Sequence, residues 1–387
     1  MAASASAAQL RGVALHPLDQ DRSVPAISSE FAMLQAAGAT SVRFDVYWAA
    51  VEGTGTGRYD RGTLWWVDWV MWQARAHGLK VILDVWATPC WASSVPANVD
   101  PEGCGSGWWK HPVTRYPPVD PHSYAEFAAF AAKRWGSHLA ALELWNEPNG
   151  GFLVSAHPAR EYATLVKAAY PAVKAVAPAL PVIMSLGGTD TTFLGYLYQL
   201  GVAGFYDGIA VHPYNDPLFA GLKAFRAYQL RRGDRTPLWV TEVGWPASAY
   251  GLHGEAAHVY WGLRQLAALP YVNAAEIYEL RDTGTDRASA EDTLGLVDRS
   301  LAPKPAWSAF RSALQFLATR EANRTPSAHH HRDHRRRAVA LMVVSGVDRV
   351  GADQIPAGGE AQPERQAPVR GASRQVLERP RAAARAS

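Results

Sequence analysis

The sequence predicts a (β/α)8 barrel. Eight short apolar runs, each followed by a segment of helical periodicity, fill about 310 residues, the size and rhythm of that architecture. Most of the runs are continuous in Val, Ile and Leu instead of alternating with polar residues, as expected of strands covered on both faces. The first run exits as Val13-Ala14-Leu15-His16-Pro17, without the glycine-rich phosphate loop that a doubly wound sheet would carry there.

The strands are expected at 12–16, 41–48, 80–86, 140–145, 181–186, 208–212, 238–243 and 274–280. A helix over 25–37 stops at Gly38 and one over 63–77 at Gly78, since glycine most readily takes the left-handed turn that ends a helix. A third over 121–135 stops at Gly136, and a fourth over 158–176 stops before Pro178. The remaining helices are expected over 191–200, 219–231, 254–269 and 305–316. In the second helix Trp65, Trp69 and Trp72 fall at i, i+4 and i+7, the spacing of a core-facing stripe. Trp261 and Trp307, also helical, are expected to pack likewise.

At 48% hydrophobic and 19% charged, the 387-residue chain can bury a large core and is not disordered as a whole. Two cysteines exclude a disulfide-dense scaffold and a multi-cysteine metal centre. No apolar run is long enough to span a membrane. The net charge of +3 is unevenly placed: residues 320–387 hold 13 arginines against 7 acids, a net of +6, and the rest carries −3. A mildly acidic body argues against nucleic acid as its partner. No aromatic residue follows Phe316, and the composition turns to Ala, Arg, Gln, Gly and Pro. Residues 319–387 are therefore expected to form a disordered basic tail, with 10–318 as one folded domain. Residues 1–9 are expected to be a flexible Ala/Ser-rich start, without the charged and apolar parts of a complete signal peptide.

Among 15 tryptophans, Trp48, Trp86, Trp91, Trp108, Trp109, Trp145 and Trp245 fall at the C-terminal ends of strands or in the loops beyond, the face on which barrels build active sites. Indole faces there suit the apolar faces of sugar rings. Two glutamates share that face. Glu147 lies in Glu143-Leu144-Trp145-Asn146-Glu147-Pro148-Asn149 after the fourth run, and Glu242 in Thr241-Glu242-Val243-Gly244-Trp245-Pro246 at the end of the seventh. The interval between them matches three βα units of about 30 residues each. A lone Glu at a strand end is ordinarily a solvated surface group. Two across one barrel mouth, beside tryptophans, are what glycosidic cleavage requires: one protonates the leaving oxygen and the other, ionised, attacks or steadies the oxocarbenium-like centre. Each also shifts the ionisation of its partner.

These two motifs resemble those of clan A glycoside hydrolases, retaining barrel enzymes with their acid/base on strand four and nucleophile on strand seven. Trp145-Asn146-Glu147-Pro148-Asn149 is similar to the acid/base motif of families 39 and 5, and Thr241 to Pro246 to their nucleophile motif. The resemblance spans about residues 10–318, and the run Tyr278 to Asp282 looks more like family 39 than like family 5 cellulases. It implies Glu147 as acid/base, Glu242 as nucleophile and Asn146 as the partner of the sugar 2-hydroxyl. It implies Arg43 beside the nucleophile, and His212 and Tyr214 orienting and bonding it. Tyr278 would replace the tryptophan platform that many members carry at strand eight. His16, at the exit of the first strand, joins the substrate-binding set. The plainer alternatives are Arg43 as a structural partner of Glu143, His212 as a satisfied buried histidine and Tyr278 as barrel packing. The resemblance also implies a carbohydrate substrate, no cofactor and a monomer. A secreted or cell-surface location is suspected on the same ground, with a cytoplasmic one left open.

The segment 87–120 is long and aromatic, and loops of this length usually have a function. It is expected to wall the substrate cleft, with Cys90 and Cys104 either bridged or both free. No metal site is expected, because no H-E-x-x-H or C-x-x-C spacing occurs. The rivals to hydrolysis are a transglycosylase on the same scaffold and a non-catalytic glycan-binding barrel.

Overall fold

The computed structural model describes residues 9–20, 22–101, 103–105, 112–214 and 218–324. Eight parallel strands close into a barrel in sequence order: β1 (Leu10–Leu15), β2 (Ser41–Tyr47), β3 (Lys80–Trp86), β4 (Leu139–Leu144), β5 (Val182–Gly187), β6 (Gly208–His212), β7 (Leu238–Val243) and β8 (Val272–Ile277). The helices are α1 (Val24–Ala37), a one-turn α2 (Trp48–Val51), α3 (Arg61–Ala76), α4 (Pro121–Trp135), α5 (Pro158–Val176), α6 (Thr191–Gln199), α7 (Leu218–Arg231), α8 (Ala247–Leu266) and α9 (Pro305–Arg324). Local chemistry starts several of them. Asp60 caps α3 by accepting from the Thr63 N–H at 2.6 Å, and Asp190 caps α6 through the N–H groups of Thr192 and Phe193. Gly38 ends α1 with φ of 82°.

The barrel interior is apolar at its base, where Ile82, Ala141, Ile183, Ala210, Trp239 and Ala274 pack together. Above them the inward positions become polar. Arg43, Asp84, Glu143, Ser185, His212 and Thr241 are all essentially without solvent exposure. A continuous apolar layer between strands and helices holds this polar plug in place.

Four expectations are corrected here. The strand expected at 274–280 runs Val272–Ile277, because beyond Ile277 the pairing becomes irregular: the Tyr278 and Leu280 N–H groups still reach Val243 O and Ala14 O, but Glu279 between them pairs with Leu294 and Leu296 of the following loop. The helix expected over 254–269 is the second of two that meet at a kink at Gly251 (φ 68°, ψ 161°) within Ala247–Leu266, so a short helical turn precedes it. The last helix runs to Arg324, past the expected end at 316. Finally, the core face of α3 is Trp66, Val67, Val70, Met71 and Ala74. Trp65 and Trp72 point outward, 59% and 58% exposed, with Trp69 on the flank against Trp66. Trp261 is likewise 54% exposed, whereas Trp307 is buried as expected.

The barrel forms one compact unit through Leu317. The expected tail beyond Arg324 and the N-terminal segment before Gln9 lie outside the described residues. No helix among the described residues is long and apolar enough to cross a membrane.

Candidate active site

The site is built from two strand ends that both depart from regular geometry. After β4 the motif residues diverge. Trp145 (φ 69°) turns outward and is fully buried between Tyr124 and Phe152, its indole N–H donating to Phe152 O at 3.0 Å. Asn146 turns in, and Glu147 (φ 38°) stands at the mouth. Such left-handed backbone is costly for residues with a Cβ and is held by its surroundings. Asn149 supplies part of that hold. Its amide accepts from the Gly187 N–H at 2.8 Å and donates to Gly187 O at 2.9 Å, pinning the turn to the end of β5. Two glycines then make room for the carboxylate: a Cβ on Gly150 would meet Glu147 Oε2 at 2.7 Å, and one on Gly187 would meet Glu147 Cδ at 3.2 Å.

β7 solves a different problem. Thr241 and Glu242 are neighbours on a strand, so a regular pleat would send them to opposite faces. The register with β8 slips between Val240 and Val243, which oppose Ala275 and Ile277, leaving one extra residue on β7. Both side chains thereby face inward, the re-aiming that a bulge achieves.

Arg43 organises the floor. Its Nη1 donates to Glu242 Oε1 at 2.7 Å and also lies 2.7 Å from Asp45. Its Nη2 donates to Asp84 at 2.8 Å and to Asn146 Oδ1 at 3.1 Å, and its Nε reaches Glu143 at 3.4 Å. Both expected partners, Glu242 and Glu143, are therefore real. With Oδ1 committed to Arg43, the Asn146 amide has its NH2 left to offer a substrate hydroxyl. Tyr214 donates a short hydrogen bond to Glu242 Oε2, so the second oxygen of that carboxylate is also fixed. Burial, with Arg43 opposing and Glu143 and Asp45 adding to it, pushes the Asp84 carboxyl well up, and its Oδ1 is a buried oxygen without a partner. Glu143 goes the other way: burial works against its charge, but Arg43 and His212 hold it ionised, below the ordinary value.

His212 requires a correction. It bonds Glu147 Oε1 at 2.8 Å and the Thr241 hydroxyl at 3.0 Å, and stands 3.8 Å from Glu242. It orients the expected acid/base more directly than the nucleophile. Burial disfavours its charge, yet Glu242, Glu143 and Glu147 outweigh burial and raise it from 6.5 to about 10. As an imidazolium it donates from both nitrogens. Its stabilising effect is complete below about 6.5, the unfolded value, and is lost as pH rises through about 10. Denaturant unfolding at pH 6, 8 and 10 should show His212→Asn destabilised most at pH 6, with the gap to wild type shrinking toward pH 10. Glu147, His212 and Glu242 each offer a potential ligand atom within 4.8 Å of the others.

The tryptophans divide. Trp48 is fully buried behind the strands, stacked on Phe127 with its N–H on Glu52. Trp245 packs outward against His258 and Gly262 of α8. With Trp145, these are wall residues and not sugar platforms. Trp86 shares strand parity with the inward Asp84, lies against Tyr47 and keeps a buried indole N–H without a partner. Trp91 donates to Glu52 O. Trp108 and Trp109 lie outside the described residues. Tyr278 is buried and meets His16 and Tyr214 edge-on, while His16 Nε2 lies 3.0 Å from Glu279. Cys90 and Cys104 are bridged, with Cα atoms 5.5 Å apart. By the loop-entropy argument a closure of this length contributes about 3 kcal/mol. The 87–120 segment is tied to the β4 loop by the Val154 N–H on Arg115 O.

Sequence reading missed Asp45, Tyr47 and Asp84. The signal was present: Arg43-Phe44-Asp45-Val46-Tyr47 places Arg43, Asp45 and Tyr47 on one face by period two, as Asp84-Val85-Trp86 does next door. Glu279 and Gln20, hydrogen-bonded to each other beside His16, were also missed, because loop residues have no such period.

Residues 1–217 match the family described as cellulase, glycosyl hydrolase family 5. A search of curated proteins found no match. Among solved structures, a family 39 glycoside hydrolase from the gut symbiont Bacteroides cellulosilyticus WH2 aligns over 79% of this chain at 24% identity, with a TM-score of 0.62. The chain spans 63% of that protein's length. A GH5_18 protein from Bifidobacterium longum subsp. infantis aligns over 80% of this chain and 79% of its own at 15% identity and TM-score 0.62. A β-glucosidase from Pyrococcus furiosus aligns over 80% and 95% at 14% identity and TM-score 0.57. At these identities the structural matches speak for the fold, and both families suggested by the motifs are among them. With its family match covering more than half of its length, the chain belongs to glycosyl hydrolase family 5, the cellulase family.

Proposed function

We propose that this protein is a retaining β-glycoside hydrolase acting by double displacement on O-glycosidic bonds of an oligo- or polysaccharide. The observation that carries the proposal is the approach of Glu147 and Glu242, with a carboxylate oxygen of each within 4.8 Å. Retaining enzymes hold the pair about 5–5.5 Å apart, whereas inverting enzymes open about 6.5–9.5 Å for a water. Glu242, held by Arg43 and Tyr214 on its two oxygens, attacks the anomeric carbon while Glu147 protonates the leaving oxygen. Glu147 then takes a proton from water as that water releases the sugar. The bridged cysteines favour an oxidising compartment, and so a secreted or surface location.

Proton NMR of the first-formed product tests the stereochemistry, and release of the β-anomer is expected. In Glu147→Ala, glycosides with poor leaving groups should lose about 10²–10⁴-fold in rate. Activated aryl glycosides should lose far less, and azide should restore their turnover as the β-glycosyl azide. Full activity of Glu147→Ala on unactivated glycosides, or an α-anomer as first product, would overturn the mechanism.

A further inference from the structure

We propose that the outer face of α3 is a second carbohydrate-binding surface, which takes one extended, uncharged polysaccharide chain away from the catalytic mouth. The proposal rests on the reading that the enzyme acts on glycans. The observation behind it is the stripe of Trp65, Trp69 and Trp72. Solvent-facing tryptophan is rare enough that an exposed aromatic stripe marks a contact surface. Two of these indoles are more than half exposed, and the third lies between them, supported from beneath by Trp66 at 5.0 Å between ring centroids.

The geometry selects the occupant. From Trp65 to Trp72 the helix rises about 10 Å, with Trp69 near the middle. Flat apolar faces are thus repeated at intervals comparable with successive sugar rings of an extended chain. Because α3 follows β2, it starts at the catalytic end of the barrel, so the stripe descends the flank from Trp65. Its apolar area is on the order of 400 Å², about half of what one partner contributes to a stable protein interface. A second copy of the chain would need far more surface than this, whereas a single narrow polymer would not. Asp68 and Arg134 lie beside the stripe as a bidentate pair at 2.9 and 2.6 Å, with side chains 42% and 36% exposed. A pair already neutralised offers donors and acceptors that hydroxyl groups can share, with little net charge to recruit an anionic polymer.

Affinity electrophoresis in gels containing hydroxyethylcellulose, galactomannan or arabinoxylan, each neutral, tests the proposal with the full chain. Wild type should be retarded by at least one of them. Trp65→Ser/Trp72→Ser should lose about tenfold in apparent affinity for it, while kcat/KM on a small aryl β-glycoside and the Tm stay unchanged. Trp65→Tyr/Trp72→Tyr should recover much of the retardation. Equal retardation of wild type and the Ser variant, or no retardation of wild type in any gel, would overturn the surface. A wild-type dimer that becomes monomeric in the Ser variant would reassign the stripe to self-association and overturn it too. If wild type fails on every aryl glycoside yet is retarded through these tryptophans, the hydrolase reading falls and the surface stands.

Discussion

Glu242→Gln should lower kcat by about 10⁴-fold or more on every glycoside, activated or not. Removing a nucleophile blocks the covalent step itself, and groups that act as a unit lose nearly all their effect together. The substitution is isosteric, and Arg43 keeps Asp45, Asp84 and Glu143 as partners. Replacing one carboxylate in so acidic a cluster also relieves repulsion, so Tm should hold or rise. Initial rates on an aryl β-glycoside and a thermal scan of the same preparation check both halves. Glu242→Ala with azide should give the α-glycosyl azide, because azide enters from the face the carboxylate vacated. That product is opposite in configuration to the one expected from Glu147→Ala. Residual activity within tenfold of wild type would remove Glu242 from the nucleophile role.

Arg43→Met should be the most destabilising single change in the site. The guanidinium is fully buried and contacts four acidic side chains at 2.7 to 3.4 Å. Burial alone would lower its pKa, but Asp45, Glu242, Glu143 and Asp84 together raise it well above the usual arginine value. Its removal leaves buried charges uncompensated, typically a loss of about 3–5 kcal/mol, or on the order of 10 °C in Tm for a domain of this size. Activity should fall with it, since Glu242 and Asn146 both lose their anchor. The sign of the pH dependence is fixed by which groups are stranded. Carboxylates without Arg43 take up protons more readily in the folded state, so the Tm deficit should be largest near neutral pH and shrink as pH falls. Arg43→Lys keeps the charge but not the fork that reaches several acids at once, and should lie between. A Tm loss of only a degree or two, unchanged between pH 5 and 8, would show that Arg43 does not hold the cluster together.

The balance between charge and burial extends below the site. Glu276 on β8 accepts a hydrogen bond from the Ser41 hydroxyl and keeps its Oε2 unpartnered. Burial pushes it up to about 8, against the pull of Ser41 and Arg43, which makes it a neutral acid at pH 7. Burial thus pushes both Asp84 and Glu276 upward, while Arg43 and His212 hold Glu143 below the ordinary value.

The limits of sequence legibility are visible in particular residues. Glu147 and Glu242 were readable because motif and spacing agreed, and because βα repeats convert a count of residues into a place on the barrel. The eight strands were readable for the same reason, their continuous apolar character reporting burial on both faces. The tryptophans were not. At α3, Trp65, Trp69 and Trp72 have the period of a buried stripe, but so do Trp66, Val67, Val70 and Ala74, and periodicity defines a face without saying which one meets the barrel. At β4 the left-handed backbone of Trp145 rotated an expected platform into the wall. Similarly, Trp48 opens a one-turn helix that carries it behind the strand.

By itself, then, the sequence determined the closed alternation of strands and helices and the barrel face on which Glu147 and Glu242 lie. These depend on local composition and on spacing along the chain. Tertiary structure alone decided that a bulge in β7 turns Glu242 inward, that His212 serves Glu147 before Glu242, that four acids share Arg43 and that a row of tryptophans faces solvent. Each of those depends on register, close packing or competition among charges brought together from distant parts of the chain, and no run of residues encodes it separately.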